Sequence, residues 1–184
     1  IDKDKNVIIF DEIVETGLSA SKQAEFVNKY TWEKYKLKQT DFDEDIADPA
    51  YWTKHSEKEG ILYSPAMFYG DADIFLTKGN NDRKAKAKVV YDGLGLPDGE
   101  GSVPIIRFTD NCQYCIETIP NLPSAENDPE DVDTKAEDHA FDALAYGATV
   151  VLEPTTYIPE HKRGWRDEVK EQADIAAGGG WMGA

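Results

Sequence analysis

The chain has 184 residues, of which 40% are hydrophobic and 30% charged, a balance typical of one globular domain with its own core. Its formal net charge is −16, whereas a module that only grips nucleic-acid phosphates is expected to be basic. This acidity argues against a simple DNA-binding module, but it is compatible with a nuclease whose carboxylates bind metal ions.

Strand and helix signals alternate along the chain. The β-branched and aromatic runs predict strands at Asn6–Ile13, Asp41–Asp48, Asp73–Lys78 and Val103–Phe108. Between them, helices are predicted from Leu18 to about Leu37 with a cap at Ser19 or Ser21, from a cap at Asn80 or Asn81 to about Gly93, and at Cys112–Ile119. This alternation predicts an α/β fold.

The last third is predicted to hold an acidic loop at Asn127–Lys135 and then a buried helix that ends near Leu152. Thr134 and Glu137 have the spacing of a capping box, so we expect the helix to begin there. Residues 1–153 are read as one domain, and residues 154–184 as a partly flexible tail. The charged amino end lacks a signal peptide, and no apolar run approaches the ~20 residues that span a bilayer.

The buried helix carries an unusual set of polar residues. Asp138, His139 and Asp142 are three and four positions apart, so they can share one helix face. One interpretation is structural: Asp138 is a first-turn acid favoured by the helix dipole, and Asp142 lies at the helix rim. The other is a cation site, because a charge on an apolar helix is costly unless it is paired.

Asp48 offers a second carboxylate, at the end of a predicted strand. Pro49 follows it and ends regular strand pairing. Carboxylates that converge from a strand end and a helix are suitable ligands for Mg²⁺ or Mn²⁺. Two such ions ~4 Å apart can activate water and stabilise the leaving oxygen of a phosphodiester.

Two further patterns allow more than one interpretation. Cys112 and Cys115 form a Cys-x-x-Cys pair without a second pair, which favours two ordinary reduced thiols over a zinc or redox site. Basic residues cluster near the third predicted strand and the helix after it, either as a solvated helix face or as contacts to a DNA backbone: Lys78, Arg83, Lys84, Lys86 and Lys88. The chain contains no Walker-type Gly-x-x-x-x-Gly-Lys-Ser/Thr motif.

Several segments, in order, resemble the nuclease domain of phage large terminase subunits. They are Asp2–Ile13 with Thr16-Gly17-Leu18, Ala47-Asp48-Pro49-Ala50, Lys78-Gly79-Asn80-Asn81-Asp82-Arg83, Asp128–Thr134 followed by Glu137-Asp138-His139, and His139–Tyr146. The resemblance extends from near Asp2 to about Leu152.

This resemblance implies an RNase H-like mixed sheet flanked by helices, and a metal-dependent endonuclease that cuts concatemeric double-stranded DNA during genome packaging. It implies Mg²⁺ or Mn²⁺ held by Asp48 and Asp142, with His139 as a third catalytic residue and Asp138 as an assisting neighbour. The implied partners are the portal protein and the terminase ATPase domain or small subunit, in the host cell cytoplasm and without a membrane.

Two departures from the family pattern leave alternatives open. The family's first-strand acid falls upstream of Ile1, so we expect the first strand to be missing or truncated and the fragment to be weakly active or inactive. Ala145 stands where the family usually has arginine. A non-catalytic docking module for the portal or the ATPase is therefore the second hypothesis. Another RNase H-like enzyme, such as a resolvase or transposase, is the third.

Overall fold

The computed structural model describes residues 6–58, 60–95, 103–125, 128–133 and 136–152. The predicted turn before Asn6, the capping residue Thr134 and the predicted tail at 154–184 lie outside the described residues. None of the helices within these ranges is long and apolar enough to cross a membrane.

Helices and short strands alternate, which confirms the α/β class. In the described ranges the α-helices are α1 (Ala20–Tyr35), α2 (Pro65–Asp71), α3 (Arg83–Leu94), α4 (Gln113–Thr118) and α5 (His139–Leu152). The strands are β1 (Val7–Ile9), β2 (Asp45–Ala47), β3 (Ser56–Lys58), β4 (Ile61–Tyr63), β5 (Leu76–Lys78), β6 (Ile106–Phe108), β7 (Ser124–Ala125) and β8 (Asp128–Val132).

The four predicted strands form two parallel pairs. β1 pairs with β6, placing Val7 opposite Ile106, and β2 pairs with β5, placing Ala47 opposite Lys78. Parallel strands need a crossover connection, and helices lie between the paired strands in both cases. Each of these strands is shorter than predicted, with regular pairing over three residues.

The main core lies where α3 and α5 pack together beside β6. Val90 and Ala145 are fully buried, and Phe141 and Ile106 are nearly so. The prediction of a buried last helix is therefore confirmed. Gly93 allows α3 to approach β6 closely, since a Cβ at this position would lie 2.4 Å from Ile106 Cδ1.

Three local predictions were wrong. Asp128–Val132, predicted as loop, is strand β8, because antiparallel pairing with β7 overrides its weak strand propensity. Helix α3 is capped by Asp82, whose side chain accepts a hydrogen bond from the Ala85 amide, while Asn80 Oδ1 accepts from the Asp82 amide. Helix α5 begins at His139 rather than at the predicted capping box, and its first helical hydrogen bond runs from the Asp142 amide to Asp138 O.

Strands β3, β4 and β7 and helix α2 were not predicted. The short antiparallel pair β3–β4 and helix α2 fill the chain between β2 and β5. Ser64 caps α2 by accepting a hydrogen bond from the Met67 amide, and Pro65 occupies the first turn. This Ser-Pro start is a recognisable helix signal in the sequence.

Candidate functional site

Asp48 is held at the carboxyl end of β2 by two hydrogen bonds. Its Oδ1 accepts from the Ala50 amide over 2.7 Å, which starts a short 3₁₀ turn at Pro49–Trp52. Its Oδ2 accepts from the hydroxyl of Tyr146 over 2.7 Å. The prediction that a strand ends at Asp48 is confirmed, and its carboxylate is fixed by a residue from α5.

Asp142 lies in the first turn of α5 and is paired with a buried lysine. Its Oδ1 is 3.3 Å from Nζ of Lys86 on α3. The lysine side chain is 4% exposed and the aspartate side chain is 33% exposed. The ion pair thus has an inner cationic side, and an outer carboxylate side that solvent can reach.

Tyr146 connects the two acids. Its ring centroid lies 3.8 Å from the Lys86 ammonium, while its hydroxyl bonds Asp48. Burial raises the pKa of Tyr146, and the hydrogen bond to Asp48 and the charges of Asp48 and Asp142 raise it further. Asp48, Tyr146, Lys86 and Asp142 are therefore in continuous contact, and we call them the four-residue network.

Gly79 makes room for this arrangement. It directly follows β5, and its amide donates to Ala47 O over 2.8 Å. A Cβ at Gly79 would lie 2.2 Å from Cδ1 of Tyr146, so the tyrosine ring packs directly against the glycine backbone. Any larger residue here would push the ring away from Asp48.

His139 and Asp138 lie at the start of α5, outside the network. The His139 side chain is 86% exposed, with Nε2 3.9 Å from Glu137 and Nδ1 4.0 Å from Asp138. Glu137 also accepts a hydrogen bond from the Tyr114 hydroxyl. The structure therefore gives His139 a solvent-facing position one turn from Asp142, and leaves Asp138 beside it.

The predicted basic cluster separates into different environments. Lys78 is exposed and lies 5.5 Å from the Trp52 ring, and Lys84 is exposed on α3. Arg83 donates to Val132 O over 3.3 Å, and Lys88 forms an ion pair with Asp92. Lys86 points inward instead, which is not the exposed position expected of a DNA-backbone contact.

Sequence reasoning missed the roles of Lys86, Tyr146 and Gly79. A signal for Lys86 was present, because it shares helical spacing with the buried Val89, Val90 and Gly93. No comparable signal existed for Tyr146, since its partner Asp48 lies 98 positions away.

The acids near β1 have structural partners of their own. Glu12 accepts hydrogen bonds from the amides of Tyr114 and Cys115 at the start of α4. Burial is the largest influence on Asp11 and raises its pKa, but hydrogen bonds from Lys34, Tyr35 and Tyr30 outweigh it and bring the pKa down to about 2.

Both cysteines are free thiols. Cys112 is fully buried, and its Sγ lies 3.4 Å from Ile9 O. Burial raises the pKa of Cys115 to about 12, with help from a hydrogen bond to Glu12, and burial also raises the pKa of Cys112. This environment opposes thiolate formation.

The described residues offer a hard cation two acids rather than a full set of ligands. Within the part of the chain that the structure describes, no three His, Cys, Asp or Glu side chains converge to hold a metal ion. Mg²⁺, however, is often held by one or two carboxylates together with water and substrate phosphates. Asp48 and the solvent-reachable Asp142 fit that mode, with Lys86 as a positive charge already next to one of them.

Comparison with known proteins adds no assignment. No protein-family model matches the chain, and the searches of curated proteins and of solved structures also find no match.

Proposed function

We propose that the chain is the metal-dependent endonuclease domain of a phage DNA-packaging terminase, with an RNase H-like fold. The observation that carries this proposal is the series of contacts through Tyr146 and Lys86 that joins two acids from distant parts of the sequence. Asp48 directly follows a parallel strand, Asp142 lies in the first turn of a helix, and Tyr146 and Lys86 link them. Functional groups of α/β proteins commonly lie at such strand ends.

In this proposal Asp48 and Asp142 hold Mg²⁺ or Mn²⁺. When bound, the ion would supply an activated water and stabilise negative charge on a phosphodiester. Tyr146 orients Asp48 through its hydroxyl, and Gly79 leaves space for the tyrosine ring. His139, at the exposed start of α5, is placed to exchange a proton with solvent or with a bound DNA strand.

The surface near Asp48 also offers positive charge. Lys78 lies opposite Ala47 in the parallel pair, and Ala47 directly precedes Asp48 in the chain. Lys84 is exposed in the first turn of α3. These two lysines are the DNA-backbone contacts that we retain, and they would position a strand without reading its sequence.

Cation binding tests the proposal directly. We expect Mn²⁺ titrated calorimetrically into the chain to bind saturably. Asp48→Asn and Asp142→Asn should each weaken binding at least about tenfold, because each removes one negative ligand while keeping the side-chain shape. Asp71→Asn is the matched control, since Asp71 is an exposed acid paired with Lys58.

Cleavage is then measured on supercoiled plasmid DNA with Mn²⁺, for the parent and for Asp142→Asn. Cleavage that survives Asp142→Asn would contradict the assigned site.

A docking module of the packaging motor is the second candidate, and the net charge of −16 favours it. An acidic surface repels DNA but suits a basic protein partner. Absence of saturable Mn²⁺ binding both in the parent and in a Lys86→Met variant, which lacks the positive charge beside Asp142, would support this module over the nuclease.

A further inference from the structure

Lys86 is the most enclosed charged side chain on α3. It is 4% exposed, whereas Lys88 on the same helix is 70% exposed and pairs with Asp92 near the helix end. A buried ammonium is costly unless it is paired, so its partners are informative about its role.

Both partners of Lys86 lie on one turn of α5. Asp142 Oδ1 is 3.3 Å from the ammonium, and the Tyr146 ring centroid is 3.8 Å from it. Residues four apart on a helix lie on the same face, so one ammonium contacts both. A cation–π contact of this kind is stronger when it is withdrawn from water.

The position of Lys86 affects both candidate ligands. It directly neutralises Asp142, and it acts on Asp48 through the ring and hydroxyl of Tyr146. A divalent cation at Asp142 would meet this fixed positive charge on its inner side. Lys86 therefore orients the acids and at the same time opposes a bound cation.

We propose that Lys86 is a positioning residue that acts as the internal counter-cation of this site, and that it weakens the site's affinity for a free divalent cation. This inference rests on the proposed function. Tight loading would then require DNA phosphates, whose negative charge offsets the lysine. A site of this kind would bind little divalent cation until DNA is bound.

The test is calorimetric titration of Mn²⁺ alone, at low ionic strength, into the parent and two neutral variants, Lys86→Met and Lys86→Gln. Methionine fills the space of the lysine stem, and glutamine retains a polar end. We expect a Kd about tenfold lower in both variants, the factor that Coulomb's law gives for charges of +1 and +2 about 6 Å apart in water.

Two further variants separate charge at this position from other effects. Lys88→Met removes the same charge from the same helix at an exposed position, and it should leave the Kd within about twofold of the parent. Lys86→Arg keeps the positive charge, so its Kd should stay close to that of the parent. Circular dichroism establishes that each variant is folded, and the glutamine variant serves if the methionine variant is not.

The outcomes distinguish this inference from the proposed function. A Kd that is unchanged or higher in the neutral Lys86 variants, while Asp142→Asn still weakens binding at least about tenfold, would overturn the role of Lys86 and leave the nuclease proposal standing. Binding that appears only when Lys86 is neutral would support the role of Lys86. No binding in the parent or in any variant would overturn both.

Discussion

Tyr146 donates its hydroxyl hydrogen to Asp48 over 2.7 Å, and these two residues are 98 positions apart in the chain. The bond fixes the end of strand β2 to the middle of helix α5. The phenol ring of Tyr146 is buried, while its hydroxyl reaches the Asp48 carboxylate. The position of Asp48 therefore depends on the packing of α5.

Removing that hydroxyl should weaken the fold. We expect Tyr146→Phe to lower the free energy of unfolding by about 1.5–3 kcal/mol, since hydrogen bonds to charged groups contribute in that range. Urea denaturation followed by circular dichroism measures the change. Equal midpoints for the variant and the parent would mean that water replaces the hydroxyl without cost.

Two glycines give a matched pair of opposite expectations. Gly79→Ala should destabilise the chain by about 1–3 kcal/mol, because its Cβ would lie 2.2 Å from Tyr146 Cδ1. Gly147→Ala should stabilise it by up to ~1 kcal/mol, because that Cβ meets no atom within 4 Å and alanine is favoured inside helices. Thermal denaturation of both variants measures the difference. A higher Tm for Gly79→Ala would contradict the packing at Gly79, and a lower Tm for Gly147→Ala would contradict the open space at Gly147.

The hydrogen bonds that Asp11 accepts from Lys34, Tyr35 and Tyr30 should make the free energy of unfolding depend on pH below about pH 4. The pKa of Asp11 is lowered to about 2 from an ordinary value of 3.8, so the folded state favours the carboxylate. Its contribution, on the order of 1–2 kcal/mol, is complete above pH ~4 and is lost as the pH falls toward 2. The difference in unfolding free energy between the parent and Asp11→Asn should shrink over that interval. A constant difference from pH 7 to pH 2 would contradict the lowered pKa.

The two thiols should react slowly in the folded chain. The pKa of Cys115 is about 12 and that of Cys112 is also raised, so little thiolate exists at pH 8. We expect alkylation by iodoacetamide at pH 8 to be at least about a hundredfold slower in the native chain than in urea. Mass spectrometry of timed samples gives both rates. Fast native labelling of Cys115 would show that α4 opens readily.

Substitution of His139 should affect DNA cleavage without affecting Mn²⁺ binding. Because its side chain is 86% exposed and lies outside the four-residue network, His139→Ala should change the unfolding free energy by less than about 0.5 kcal/mol and the Mn²⁺ Kd by less than about twofold. If the proposed function holds, the rate of plasmid cleavage should still fall at least about tenfold. A loss of Mn²⁺ binding in this variant would instead make His139 a ligand.

Part of this arrangement could be predicted from local sequence. Asp48 was predicted at a strand end because Pro49 follows it, and α5 was predicted as buried because apolar residues surround it. The shared face of Asp138, His139 and Asp142 was predicted from spacing alone. That prediction was too coarse, because spacing does not show that Asp142 turns toward α3 while His139 turns toward solvent.

The rest depends on tertiary packing. Lys86 was grouped with exposed basic residues because its neighbours in sequence are charged, but the packing of α3 against α5 places it beside Asp142 and Tyr146. Strand β8 was missed because its sequence is acidic and contains Pro129, and only its pairing with β7 makes it a strand. Such contacts join residues far apart in the chain, which local propensity does not encode.

The pairing of Val7 with Ile106 has a consequence for the order of folding. A parallel pair that joins such distant positions closes a long loop, which has a large entropy cost. We expect such a pair to form late in folding, after the intervening structure has shortened the loop. The packing of α3 against α5 joins positions that are closer together in the chain, so we expect it to form before β1 adds Val7 to the same core. Weakening β1, for example by Val7→Ala, should then mainly accelerate unfolding and leave the folding rate nearly unchanged. The stability of β1 would then set the unfolding rate, and so the lifetime of the native state.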